Sequence, residues 1–211
     1  MTPSEVQKRL LKPAVLKHGD TLAVISPAAP TQQPEQTFSE GVALLEAQGF
    51  RVKLMPNAQK QDAYLAGSDA ERLADLHAAF ADPEVDGILC ARGGYGCMRL
   101  LAGINYELIR HNPKVLIGFS DVTALQVAFY QEAGLVGFYG PMLTSNLLQE
   151  GIAGSYTEQN LWDVVMAKRS IPYGIENRNT YHCIRPGVVE APVLLLLGAP
   201  LGYQVLAVQR G

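Results

Sequence analysis

Along the first 150 residues, short apolar runs alternate with stretches whose apolar positions recur every three or four residues. The run TLAVIS at 21–26 has no polar alternation and stops at PAAP, which predicts a strand buried on both faces. Residues 37–48 place Phe38, Val42 and Leu45 at helical spacing, and Gly49 suits a helix terminus. RVKLM at 51–55 predicts a second strand, stopped by Pro56. Ser68 or Asp69 can cap a helix running to about Phe80, with Leu73, Leu76 and Ala79 on one face. VDGILCA at 85–91 predicts a third strand, followed by a glycine-rich turn and a helical turn over 98–101. KVLIGF at 114–119 predicts a fourth strand, 121–133 a helix closed by Gly134, and 135–139 a short fifth strand.

Strands alternating with helices imply βαβ crossovers. The expected fold is therefore a Rossmann- or flavodoxin-like α/β domain, with a mostly parallel sheet and helices on both faces. Ligands of such sheets gather outside the carboxyl ends of the strands. Past residue 150 the pattern changes. Residues 157–168 read as a capped amphipathic helix, and 169–187 are rich in Pro, Gly, Asn and Arg. Residues 188–211, VVEAPVLLLLGAPLGYQVLAVQRG, are apolar without a clean period. The expected organisation is an α/β domain over 1–170, a linker over 171–187, and the truncated opening of a second, β-rich domain over 188–211.

Composition narrows the function classes. Of the 211 residues 48% are hydrophobic and 18% charged, enough for a core and against a disordered chain. A net charge of -3 lacks the basic footprint of a nucleic-acid binder. No run of 18 apolar residues predicts a membrane span, and the mixed, charged N-terminus lacks the apolar centre of a secretory signal. Cys90, Cys97 and Cys183 show no CxxC spacing, against a disulfide framework or a zinc site. A cytoplasmic protein is the expectation.

Two segments at the expected sheet edge carry candidate chemistry. In Gly118-Phe119-Ser120-Asp121 a buried strand runs into a serine and then a helix, the layout of a nucleophile elbow without its second glycine. Ser120 could equally be a plain helix cap. In Arg92-Gly93-Gly94-Tyr95-Gly96 a glycine-rich turn can bring backbone N–H donors to an anion, or can be only a tight turn. Together they offer a hydroxyl and a set of donors, half of an acyl-transfer site. A serine also needs a base. His18, His77, His111 and His182 each read as surface or structural residues.

The stretches GDTLAVISPAAP, DGILCARGGYGCMRLL, KVLIGFSDVTAL and GFYGPML, in this order, resemble the LD-carboxypeptidase family of serine peptidases, which includes muramoyl-tetrapeptide carboxypeptidases and microcin C immunity peptidases. The resemblance implies Ser120 as nucleophile. It implies an oxyanion hole from the backbone N–H of Asp121 and from Gly93 and Gly94, and substrate contacts at Tyr139, Gly140 and Pro141. It implies hydrolysis of the amide before a terminal D-alanine in murein tetrapeptides, a step of peptidoglycan recycling. No metal or organic cofactor, no nucleic acid and no membrane are implied, and family members are usually homodimers.

The family carries the Glu and His of a Ser-Glu-His triad in a C-terminal domain. Here PGVVEAP at 186–192 resembles the opening of that domain, Glu190 is not the triad carboxylate, and the tail diverges, which a reading-frame change near 193–198 would explain. The expectation is an impaired carboxypeptidase. A non-catalytic peptide- or nucleotide-binding module and an inactive frameshifted gene product are the competing readings.

Overall fold

The computed structural model describes residues 10–149, 152 and 154–168. The expected linker and C-terminal segment, with His182, Cys183 and Glu190, lie outside the described residues.

Five strands form one sheet: β1 (Thr21–Ile25), β2 (Arg51–Leu54), β3 (Gly87–Cys90), β4 (Val115–Gly118) and β5 (Phe138–Tyr139). Their order is β2-β1-β3-β4-β5 and every pairing is parallel. This is the flavodoxin-like order, and the α/β fold expected from the pattern is the one found. All residues of β1, β3 and β4 are buried, and successive side chains serve opposite faces. Ala23, Ile25, Ile88, Cys90 and Leu116 join one apolar cluster, whereas Leu22, Val24, Leu89, Ala91, Val115 and Ile117 join the other. The edge strand β2 instead exposes Arg51 and Lys53, charges that discourage pairing with another chain.

Helices cover both faces. On one lie α1 (Pro34–Ala47) and α6 (Tyr156–Val165), contributing Phe38, Leu45, Leu161 and Trp162. On the other lie α2 (Asp69–Ala81), α3 (Cys97–Leu100), α4 (Tyr106–His111) and α5 (Thr123–Ala128), contributing Leu76, Phe80, Leu100, Ile109 and Leu125. Ser68 opens α2 through a complete capping box with Glu71.

Three local expectations change. Helix α4 was not legible, because its six residues sit between Gly103 and Asn112-Pro113 and it is capped by the Asn105 side chain. The helix expected over 121–133 is a 3-10 turn (Ser120–Val122), then α5, then a π turn (Phe129–Ala133) ended by Gly134 at φ 76. β5 keeps only two residues, since Leu135 bridges to Leu11 instead.

Candidate active site

Both candidate segments emerge at the carboxyl edge, from the adjacent strands β3 and β4. Residue Phe119 is still extended, and Ser120 then turns into the left-handed region at φ 60. A non-glycine residue there is strained by its own side chain. The turn fits only because Gly118 has no side chain: a Cβ on it would lie 2.7 Å from Val122 Cγ1. Ser120 is exposed and opens the 3-10 turn without any side-chain capping bond, so it is not a helix cap.

The glycine-rich loop packs directly against this turn. A Cβ on Gly93 would lie 3.2 Å from Ser120 Cβ and 3.4 Å from Met142 Cε. Gly94, at φ +118, presses on the PAAP segment, where a Cβ would meet Ala29 Cβ at 2.6 Å. The Ala29 N–H donates to the Gly93 carbonyl at 3.3 Å, and Arg92 Nη1 donates to the Pro30 carbonyl at 3.0 Å. The PAAP segment, legible in sequence only as the end of a strand, is thus a support for the loop.

Asp121 ties the two segments together, its Oδ2 accepting the Cys97 N–H at 2.8 Å. The 139–141 segment lies beside β4. The Tyr139 ring meets the Phe119 ring edge-on at 5.9 Å, and the Gly140 N–H donates to the Gly118 carbonyl at 3.2 Å. Gln126 Nε2 donates to both the Gly118 and Phe138 carbonyls at 2.9 Å, bridging the ends of β4 and β5. Ser120, Gly93, Asp121 and the 139–141 segment therefore meet around one sheet edge, and Gly94 packs against Ala29 in the same loop.

The described histidines are engaged elsewhere. His18 Nδ1 meets the Gln48 carbonyl, His77 Nε2 accepts the Asn105 N–H, and His111 Nδ1 meets the Glu107 carbonyl. Burial holds the thiols of Cys90 and Cys97 well above the ordinary cysteine range, so they stay protonated and poorly nucleophilic. The arrangement offers one exposed hydroxyl beside a glycine loop. Among the described residues no helix is long and apolar enough to cross a membrane.

A buried charge was missed. Arg72 is 2% exposed on the inner face of α2 and reaches the loop from behind. It stands one turn before Leu76 on the buried stripe, and a cation on an apolar stripe is the signal that could have found it.

The molecule is thus a parallel α/β domain with a serine turn and a glycine loop at one sheet edge. Residues 22–140 match the LD-carboxypeptidase N-terminal domain, more than half of the chain, and the chain belongs to that family. It is 47% identical over 136 residues to a protein of Bacillus subtilis (strain 168) named probable murein peptide carboxypeptidase, covering 64% of this chain and 42% of that protein. The crystal structure of an MccF-like protein from Bacillus anthracis str. Ames superposes with a TM-score of 0.67 at 36% identity, over 74% of this chain and 47% of that one. MccF in complex with glutamyl sulfamoyl guanosine gives a TM-score of 0.71 at 29% identity, over 78% of this chain and 50% of that one. The chain thus spans half or less of the length of these relatives.

Proposed function

We propose that this chain carries the nucleophile half of a serine-type carboxypeptidase acting on murein tetrapeptides, in the cytoplasmic recycling of peptidoglycan. The observation that carries the reading is Ser120, held exposed at φ 60 on the end of β4 and in van der Waals reach of Gly93. In this reading Ser120 Oγ attacks the carbonyl carbon of the diamino acid before the terminal D-alanine. The N–H groups of Asp121, Gly93 and Gly94 stabilise the charge that develops on its oxygen. The C–N bond breaks, the serine proton passes through a base to the leaving amine, and water then hydrolyses the acyl-serine. Tyr139, Gly140 and Pro141 line the cleft for the peptide. No described histidine is bonded near Ser120, so the base comes from elsewhere, and in the family it is a Glu–His pair of a C-terminal domain.

The test measures D-alanine release from murein tetrapeptide by the full chain, alone and mixed with the C-terminal half of the B. subtilis relative. A glutamyl sulfamoyl nucleoside serves as the competing substrate. Release that increases on mixing and disappears in Ser120→Ala supports the reading. Release that survives Ser120→Ala removes Ser120 as nucleophile. Cleavage of the sulfamoyl nucleoside alone, or no cleavage in either condition, overturns the murein substrate.

A further inference from the structure

Arg72 is the least expected side chain in the fold, a guanidinium with no exposed surface between α2 and the glycine loop. A buried cation is costly unless its donors are satisfied, and here each group of the fork has a backbone or carboxylate partner. Its Nε donates to the Gly67 carbonyl at 3.3 Å, just before α2. Its Nη1 donates to the Pro27 carbonyl at 2.5 Å and to the Gly96 carbonyl at 3.0 Å. Its Nη2 pairs with Asp69, which Arg99 also holds through Nε at 2.9 Å. One side chain therefore fixes the loop after β1, the turn before α2 and the end of the glycine loop after β3. Gly96 makes room for it: at φ +134, a Cβ there would lie 2.7 Å from Arg72 Nη1.

The Gly96–Cys97 peptide is gripped at both ends. Its carbonyl accepts from Arg72, and its N–H donates at 2.8 Å to the carboxylate of Asp121, the residue after Ser120. The cation faces the negative end of that peptide dipole and the anion faces its positive end, so each hydrogen bond polarises the other. We propose that Arg72 is a positioning residue for the acyl-transfer site, setting the glycine loop and, through the Gly96–Cys97 peptide, the place of Asp121 beside Ser120. This rests on the reading of Ser120, Asp121, Gly93 and Gly94 given above. Arg72 touches no reacting atom, and its effect is on where the N–H donors stand.

The test compares the full chain with Arg72→Lys and Arg72→Met by amide hydrogen exchange and, in the mixed assay with the relative's C-terminal half, by kcat and KM. Lysine keeps the charge but cannot span three carbonyls and a carboxylate. In Arg72→Lys, exchange at the Cys97 amide, whose N–H is bonded to Asp121, should speed up at least about tenfold while β1 and β3 stay protected. Its kcat should fall on the order of 100-fold with KM little changed. Unchanged exchange at the Cys97 amide in a folded Arg72→Lys overturns the coupling whether or not the chain is a peptidase. Faster exchange with unchanged kcat overturns the positioning role. A loss of kcat that only follows a lowered melting temperature, equal in both variants and with β1 and β3 exchanging faster as well, makes Arg72 a stability residue only and also overturns it. If the wild type releases no D-alanine, the activity reading has failed and the exchange result alone decides the coupling.

Discussion

Arg72, Asp121 and Ala29 hold the loop after β3 from outside, whereas the turn after β4 takes its shape from its own backbone. Three of the loop's five residues are glycines with no side chain to fix them, so its geometry depends on a guanidinium from α2 and a carboxylate from the neighbouring turn. The turn shares the Asp121–Cys97 bond with the loop but places its hydroxyl by its own backbone. An extended Phe119, a left-handed Ser120 and the Gly118–Val122 contact determine where the hydroxyl goes. Flexible residues gain precision only by borrowing it from rigid neighbours, while a strained residue carries its precision with it and costs stability where it stands.

Substitutions can break this contrast on either side. The largest effect should be that of Ser120→Ala, with D-alanine release in the mixed assay down by at least about 1,000-fold and an almost unchanged melting temperature. Gly94→Ala comes next. It forces a side chain to φ +118 and against Ala29 Cβ, and a denaturant titration should show a loss of about 2–3 kcal/mol. A loss under about 0.5 kcal/mol would show that the loop tolerates displacement and is not externally fixed. Gly118→Ala tests the turn. Crowding against Val122 should cost about 1–2 kcal/mol, and Val122→Ala in the same chain should recover part of it, a coupling that a double-mutant cycle reads directly. Within the turn, Ser120→Gly should be about 1 kcal/mol more stable than Ser120→Ala, since only glycine relaxes at φ 60. Equal stabilities would mean that no strain is stored there.

The smallest effect concerns pH and lies away from both loops. Burial lowers the pKa of His77 below its ordinary 6.5, and its Nε2 must stay unprotonated to accept the Asn105 N–H. The unfolded chain therefore takes up its proton first as pH falls. The contribution of His77 is fully present above 6.5 and is lost as pH drops through the lowered folded value. Urea midpoints at pH 7.5 and 5.5 should differ more in the wild type than in His77→Gln.

What could be read from the chain follows the range of the interactions involved. β1, β3 and β4 were legible because a strand buried on two faces is an unbroken apolar run. Ser120 and the glycines were legible because they follow such runs directly. Arg72 was not, since the apolar face of α2 read from Leu73, Leu76 and Ala79 ignores a charge whose partners, Pro27 and Gly96, lie 45 and 24 residues away. The role of Ala29 and Pro30 was hidden for the same reason, because only the fold brings PAAP against the glycine loop. Helix α4 escaped because Asn105 and Asn112 look like turn residues and are in fact its two ends.

The strand order also sets a timetable for synthesis. β1 is an interior strand and can pair with β2 once some fifty residues have emerged, but its other neighbour, the central strand β3, arrives only when Gly87 pairs with Leu22. The serine turn follows β4, and its last support, the bond from Gln126 to Phe138, needs β5. A chain growing from its N-terminus therefore builds scaffold first and assembles the paired loops last, when nearly all of the sheet is in place to hold them.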